Sequence, residues 1–150
     1  MSNIKLNKIF KTVCIASDHA GFNLKEDIKN YLIDKNVSIF DMGPFVDKSV
    51  DYPDYAKKLG NRIKLKKSDV GILVCGSGTG MAISANKIKS IRAAVCYNLK
   101  STRLSRQHNN ANIIALGARF TKKKLSLKLV ETFLKTKFEG GRHLRRVKKI

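Results

Sequence analysis

Residues 68–87 read SDVGILVCGSGTGMAISANK. Val70 to Val74 is an apolar run of the length of one buried strand, and it ends in Cys75 followed by glycines at alternate positions, Gly76, Gly78 and Gly80. Met81 to Ile88 then has the spacing of a helix. A strand that passes through a glycine turn into a helix aims unpaired backbone N–H groups at the turn, and the helix dipole adds partial positive charge there. The stretch reads as an anion site with a thiol at its lip.

Two better-known glycine loops do not fit. A dinucleotide fingerprint needs its third glycine one residue later, where Met81 stands, and it follows the first strand of a chain rather than the third. A Walker loop needs Gly-Lys-Ser/Thr after its glycines, and none is present. What remains is a site sized for a small oxyanion or a phosphate ester.

Outward from this stretch the chain alternates strand and helix. Upstream, Thr12 to Ala16 is a buried strand that ends at Ser17-Asp18-His19-Ala20-Gly21, and Phe22, Leu24, Ile28, Tyr31 and Leu32 then recur at helical spacing. Val37 to Met42 is a second strand; Gly43-Pro44 breaks it into a loop carrying Asp51-Tyr52-Pro53-Asp54, before a helix from Tyr55 to Lys66. Downstream come a strand at Arg92 to Cys96, a helix at Leu99 to Gln107, a strand at Asn112 to Leu116 and an amphipathic helix at Thr121 to Lys135. A basic tail, residues 138–150, carries no element in this reading, and neither does the lysine-rich lead, residues 1–11.

Strands separated by single helices imply right-handed crossovers and a parallel sheet covered on both faces. The expected fold is a single α/β domain over 1–150, a doubly wound, Rossmann-like sheet of five parallel strands. Ligands of such sheets bind beyond the carboxyl ends of the strands, where the strand order reverses. Asp18, His19, Cys75 with its glycines, and Tyr97-Asn98 all fall at those ends.

Composition narrows the function classes. The chain has 150 residues, 43% of them apolar, and a net charge of +20. The lysines are spread over the polar sides of helical patterns without interleaved aromatics, so a diffuse solvated surface is expected rather than a specific nucleic-acid site. No apolar run approaches the roughly 18 residues of a membrane span, and a cytoplasmic protein with no membrane partner is expected. Three cysteines, two of them (Cys14 and Cys96) in or beside apolar strands, imply reduced thiols. Three histidines with no close pair in sequence give no metal spacing, and no metal or organic cofactor is expected.

The blocks SDHAGFNLK, DYPDYA, CGSGTGMAISANK, IRAAVC, LSRQHNNANIIALGAR and FEGGRH stand in this order over nearly the whole chain after Lys11. Together they resemble the sugar-phosphate isomerase family that contains type B ribose-5-phosphate isomerase and the galactose-6-phosphate isomerase subunits. The resemblance implies an aldose–ketose isomerase of the pentose phosphate pathway, acting on a sugar phosphate, with Cys75 as the base. Backbone N–H groups of Gly76, Gly78 and Gly80 would hold the oxyanion, and Ser77 would move protons between substrate oxygens. It also implies ring opening by His108, hydroxyl contacts from Asn109 and Asp18, and a sugar pocket lined by Tyr52. Phosphate would be held by His19, Arg142 and Arg146, with Arg119 from another subunit. Relatives without the cysteine carry a glutamate where Met81 stands, so this chain groups with the cysteine users.

Each assignment has a plainer counterpart. Asp18 could serve mainly to cap the helix after Gly21, His108 could be a polar residue at an exposed helix end, and Arg142 and Arg146 could form one solvated helix face. His143 is read as structural. The assembly implied is a homodimer or homotetramer with shared active sites, on the view that His108, Asn109 and Arg119 flank an edge strand that a two-fold partner could reach. A galactose- or allose-6-phosphate isomerase, and a non-catalytic basic anion-binding module, are the alternatives.

Overall fold

The structure, a computed structural model, describes Leu6 and residues 9–150, so most of the lysine-rich lead lies outside the described residues. Strands β1 (Val13–Ser17), β2 (Ile39–Asp41), β3 (Val70–Cys75), β4 (Ala93–Val95) and β5 (Ile113–Gly117) alternate with helices α1 (Phe22–Asp34), α2 (Tyr52–Lys64), α3 (Thr79–Ala85), α4 (Leu99–Asn109) and α5 (Lys123–Lys135). A last helix, α6 (Arg142–Val147), follows. All strands are parallel, in the order β2-β1-β3-β5-β4.

The apolar runs predict which strands lie inside. β1, β3 and β5 are buried at every residue, whereas the three-residue strands β2 and β4 form the half-exposed edges. One apolar cluster joins Ile15, Ile72, Ile114 and Leu116 to Ile28 of α1 and Phe133 of α5. The other joins Cys14, Leu73 and Ala115 to Leu59 of α2 and Met81 of α3. From β1 the chain passes to β2 on one side and later returns to β3 on the other, so the order reverses between β1 and β3. Ser17 pairs with Val74 there, which sets Asp18 beside Cys75 at the carboxyl ends.

Four expectations need correction. β5 is not an edge strand; it lies between β3 and β4. Helix α2 begins at Tyr52, three residues earlier than the Pro53 loop reading allows, because proline is tolerated in a first helical turn. Helix α3 spans Thr79–Ala85, starting two residues ahead of the expected Met81 and stopping short of Ile88. The tail is not without structure: α6 forms after Gly140 and Gly141, both at positive φ, and packs on α4.

A charged cluster ties α1 to the β2 edge. Lys25 is fully buried, and its Nζ lies 2.7 Å from Asp41 and 2.9 Å from Glu26. Burial opposes ionisation of Asp41, but the Lys25 and Lys29 ammonium groups outweigh it and hold the carboxyl below its ordinary range. Among the described residues, no helix is long and apolar enough to cross a membrane.

Candidate active site

The turn after β3 is built around sulfur. Cys75 is 4% exposed, and the Gly78 N–H donates to its Sγ at 3.1 Å. An N–H aimed at sulfur suits a thiolate, since it is a donor to the charged form. Cys14 is wired the opposite way: its Sγ faces the Val70 carbonyl at 3.5 Å, and burial pushes the thiol up to about 11. Burial also raises Cys96. All three thiols are free, and the sulfur of Cys75 is the one that accepts from the glycine turn.

Glycine is required at the crest of the turn. Gly78 has φ +81°, and a Cβ there would sit 3.0 Å from the Leu116 carbonyl carbon. A Cβ on Gly80 would lie 2.8 Å from the Tyr52 ring, and one on Gly76 would lie 3.0 Å from Arg119 Nη1. Tyr52 and Arg119 therefore close on the turn from either side. Ser77 is half-buried; its Oγ accepts from the Thr79 N–H at 3.3 Å, and its carbonyl accepts from the Tyr97 hydroxyl at 2.6 Å.

Asp18 borders the same turn. Its backbone N–H donates to the Val74 carbonyl, and its buried Oδ1 accepts from the Gly21 N–H at 2.9 Å. This bond lies ahead of the helix rather than capping it, since Gly21 is the N-cap of α1 and no side chain caps that helix, and it occupies one carboxylate oxygen. His19 is exposed, with Nδ1 accepting from the Val50 N–H at 3.3 Å.

The remaining predicted residues lie elsewhere. Cys75 pairs in register with Gly117, the last residue of β5, while α4 runs back across the sheet and delivers His108 and Asn109 just before β5 begins at Ile113. The four residue steps from Ile113 to Gly117 amount to about 13 Å of strand. Arg142 and Arg146 belong to α6, which packs on α4. Two groups result, at opposite ends of the sheet. Asp18, His19, Tyr52, Cys75, Ser77, the three glycines and Arg119 form one; His108, Asn109, Arg142 and Arg146 form the other. Arg119, expected to serve a neighbouring subunit, lies on its own chain's Gly76.

Sequence reasoning missed three residues in the second group. His143 stacks on His108, with ring centroids 4.1 Å apart and planes 10° apart. Glu139 reaches both rings, its Oε2 lying 3.6 Å from His143 Nε2 and 3.9 Å from His108 Nε2. The histidine pair is distant in sequence and made by folding, so spacing could not give it. Arg106 is 3% exposed and has carbonyl and amide oxygens, not carboxylates, as its partners: Thr136 O, Ala111 O and Asn110 Oδ1. Burial, and the neighbouring Arg92, lower it to about 10. It knits the end of α4 to the end of α5, and so fixes where His108 and Asn109 stand.

A family comparison matches residues 13–150 to Ribose/Galactose Isomerase. The chain belongs to this family of sugar phosphate isomerases. The crystal structure of a ribose 5-phosphate isomerase from Thermotoga maritima superposes with a TM-score of 0.90 at 51% identity, covering 92% of this chain and 95% of that one. Ribose-5-phosphate isomerase B from Mycoplasma genitalium, solved with ribulose-5-phosphate bound, superposes with a TM-score of 0.88 at 42% identity, covering 92% of each chain. Ribose-5-phosphate isomerase B of Escherichia coli is 40% identical over 140 residues, 93% of this chain and 94% of that protein. The family relationship and the parallel five-stranded sheet agree with the expectation from sequence.

Proposed function

We propose that the chain interconverts D-ribose 5-phosphate and D-ribulose 5-phosphate, as a cytoplasmic homodimer or pair of dimers in which each site joins the Cys75 end of one subunit to the His108 end of another. The observation that carries the chemistry is the Gly78 N–H on Cys75 Sγ at the point where the strand order reverses. The M. genitalium relative with ribulose-5-phosphate bound supports the substrate.

The closed furanose opens first, with His108 of the partner subunit and Asp18 handling the protons of the anomeric hydroxyl and the ring oxygen. The Cys75 thiolate then takes the proton from carbon 2 of the open aldose, and the electrons of that bond move toward the carbonyl oxygen to give an enediolate. N–H groups of the Gly76–Gly80 turn face the developing oxyanion. Ser77 carries a proton between the oxygens on carbons 1 and 2, and Cys75 returns its proton to carbon 1, which leaves the ketose. The thiol ends as a thiolate, so the cycle consumes nothing. No step calls for a metal or an organic cofactor. Phosphate is held by His19 and Arg119 on one side, with Arg142 and Arg146 of the partner subunit on the other; guanidinium forks suit it.

The separation of the two groups within one chain supports the shared site, because a single subunit's His108 is on the wrong end of the sheet to reach a sugar at Cys75. Exposed apolar rings support it as well. Tyr97 and Phe120 follow the carboxyl ends of β4 and β5, meet edge to face, and are 41% and 71% exposed.

A coupled assay comparing ribose 5-phosphate with galactose 6-phosphate and allose 6-phosphate tests the substrate. The expected result is preferred turnover of ribose 5-phosphate. Preference for a hexose phosphate would move the activity to the other branch of the family, and turnover of none would favour the non-catalytic anion-binding module.

A further inference from the structure

Beside His108 the second group holds two side chains, Glu139 and His143, that the proposed isomerisation does not use. Among the described residues, His108, Glu139 and His143 are the ones that could hold a metal ion: each offers a ligand atom, and all three atoms lie within 4.8 Å of one another. The Glu139 oxygen is 3.6 and 3.9 Å from the two imidazole Nε2 atoms, beyond ordinary hydrogen-bond length. Donors around a tetrahedral zinc ion, each about 2.0–2.2 Å from the metal, sit roughly 3.4 Å apart. Closing the present triangle to that size needs shifts of about 1.5 Å or less, together with rotation of the His108 ring out of its 10° stack on His143, because a ring nitrogen's lone pair lies in the ring plane. The side chains can make them, since Glu139 is 49% and His108 37% exposed.

The backbone keeps the donors together. The Glu139 N–H donates to the Gln107 carbonyl at 3.1 Å, tying residue 139 to the turn of α4 that carries His108. The His143 N–H donates to the Gly140 carbonyl at 3.0 Å, which folds residue 143 back over the same turn. The surroundings select the ion. Arg142, Arg145 and Arg146 make the region positive, and two nitrogen donors with one carboxylate do not supply the oxygen set that magnesium or calcium needs. Imidazole pairs suit late first-row divalent ions, which bind through ligand chemistry more than through field.

We propose that His108, Glu139 and His143 form a binding site for a late first-row divalent cation such as Zn²⁺, and that its occupancy stops isomerisation by engaging the His108 imidazole. The second half of this statement rests on the ring-opening role proposed above for His108; the first half does not.

Binding is measured on the tag-free full chain by calorimetry with Zn²⁺ and by visible absorption with Co²⁺. One ion per chain is expected, with affinity reduced at least tenfold by His143→Ala and by Glu139→Gln and unchanged by Cys75→Ala. Glu139 is exposed, so its variant remains informative if His143→Ala folds poorly. Unchanged affinity in both variants, no binding at hundred-micromolar metal, or loss of binding in Cys75→Ala would each overturn the site. Zn²⁺ should inhibit turnover of ribose 5-phosphate in the wild type, reversibly with chelator, and spare Glu139→Gln. Binding at these residues with undiminished turnover would leave the metal site standing and remove His108 from ring opening.

Discussion

At the Cys75 end of the sheet the chemistry is held by backbone: one buried sulfur, a donor N–H, a glycine at positive φ, and two side chains closing on the turn. At the His108 end it is held by side chains on two helix ends, with Asn109, Arg142 and Arg146 all exposed. A backbone turn between buried strands cannot move without breaking the ladder, whereas exposed arginines on a six-residue helix are under no such constraint. Under the proposed function the first would be a rigid reacting centre and the second a clamp, and that contrast sets what substitutions at each end should do.

The largest effect belongs to the rigid end. Cys75→Ala should lower kcat by about 10²–10⁴-fold, with little change in Tm, because a small thiol at a turn contributes little packing. Near-normal turnover in a folded variant would remove Cys75 as the base. At the clamp, His108→Ala should cost about 10²-fold on the furanose and much less on an open-chain analogue. Equal loss on both would place His108 in the enediolate step instead.

A pH effect sharpens the comparison further. The folded state lowers His143, so the contribution of the neutral stacked ring is present above the unfolded value near 6.5 and is lost as pH falls below it. The protection factors of residues 139–147, with the intrinsic pH dependence of amide exchange divided out, should therefore fall between pH 7.5 and 5.5, with those of the Cys75 turn unaffected. Uniform protection across that range would show that the stack does not hold α6. The smallest effect concerns the general charge of +20. Replacing Lys122 and Lys123 by Gln should weaken retention on a polyanion column and leave turnover intact. Lys123 pairs with Asp27 on the exposed surface, which adds well under ~1 kcal/mol of stability. A turnover that depended on either lysine would overturn the solvated-surface reading of the charge.

The rigid end was legible in the sequence because its logic is local. A buried strand, a cysteine and alternating glycines lie within eleven residues, and Asp18 directly follows the neighbouring strand in the same manner. All five strands were legible for the same reason, each being a short apolar run between turn signals. The order of the strands was not, since nothing local in β5 says that β4 will lie outside it. That is why the edge argument failed and the division it was meant to explain held only in part: His108 and Asn109 stand apart from Asp18 and His19, but Arg119, grouped with His108 in the sequence, lies on Gly76 at the other end of β5. Helix α6 lacked an apolar stripe of its own, and its start depends on Gly140 and Gly141 at positive φ. The His108–His143 stack and the Arg106 knot join residues whose proximity only tertiary packing creates.

The shared site is tested most directly by complementation. Cys75→Ala and His108→Ala proteins, each inactive or nearly so, are mixed under conditions that exchange subunits. If each site joins the Cys75 end of one subunit to the His108 end of another, a hybrid dimer has one doubly defective site and one intact site, and its activity should recover toward half of normal. If each subunit carries a complete site, both sites of the hybrid stay defective, and the absence of recovery in verified hybrids would contradict the account.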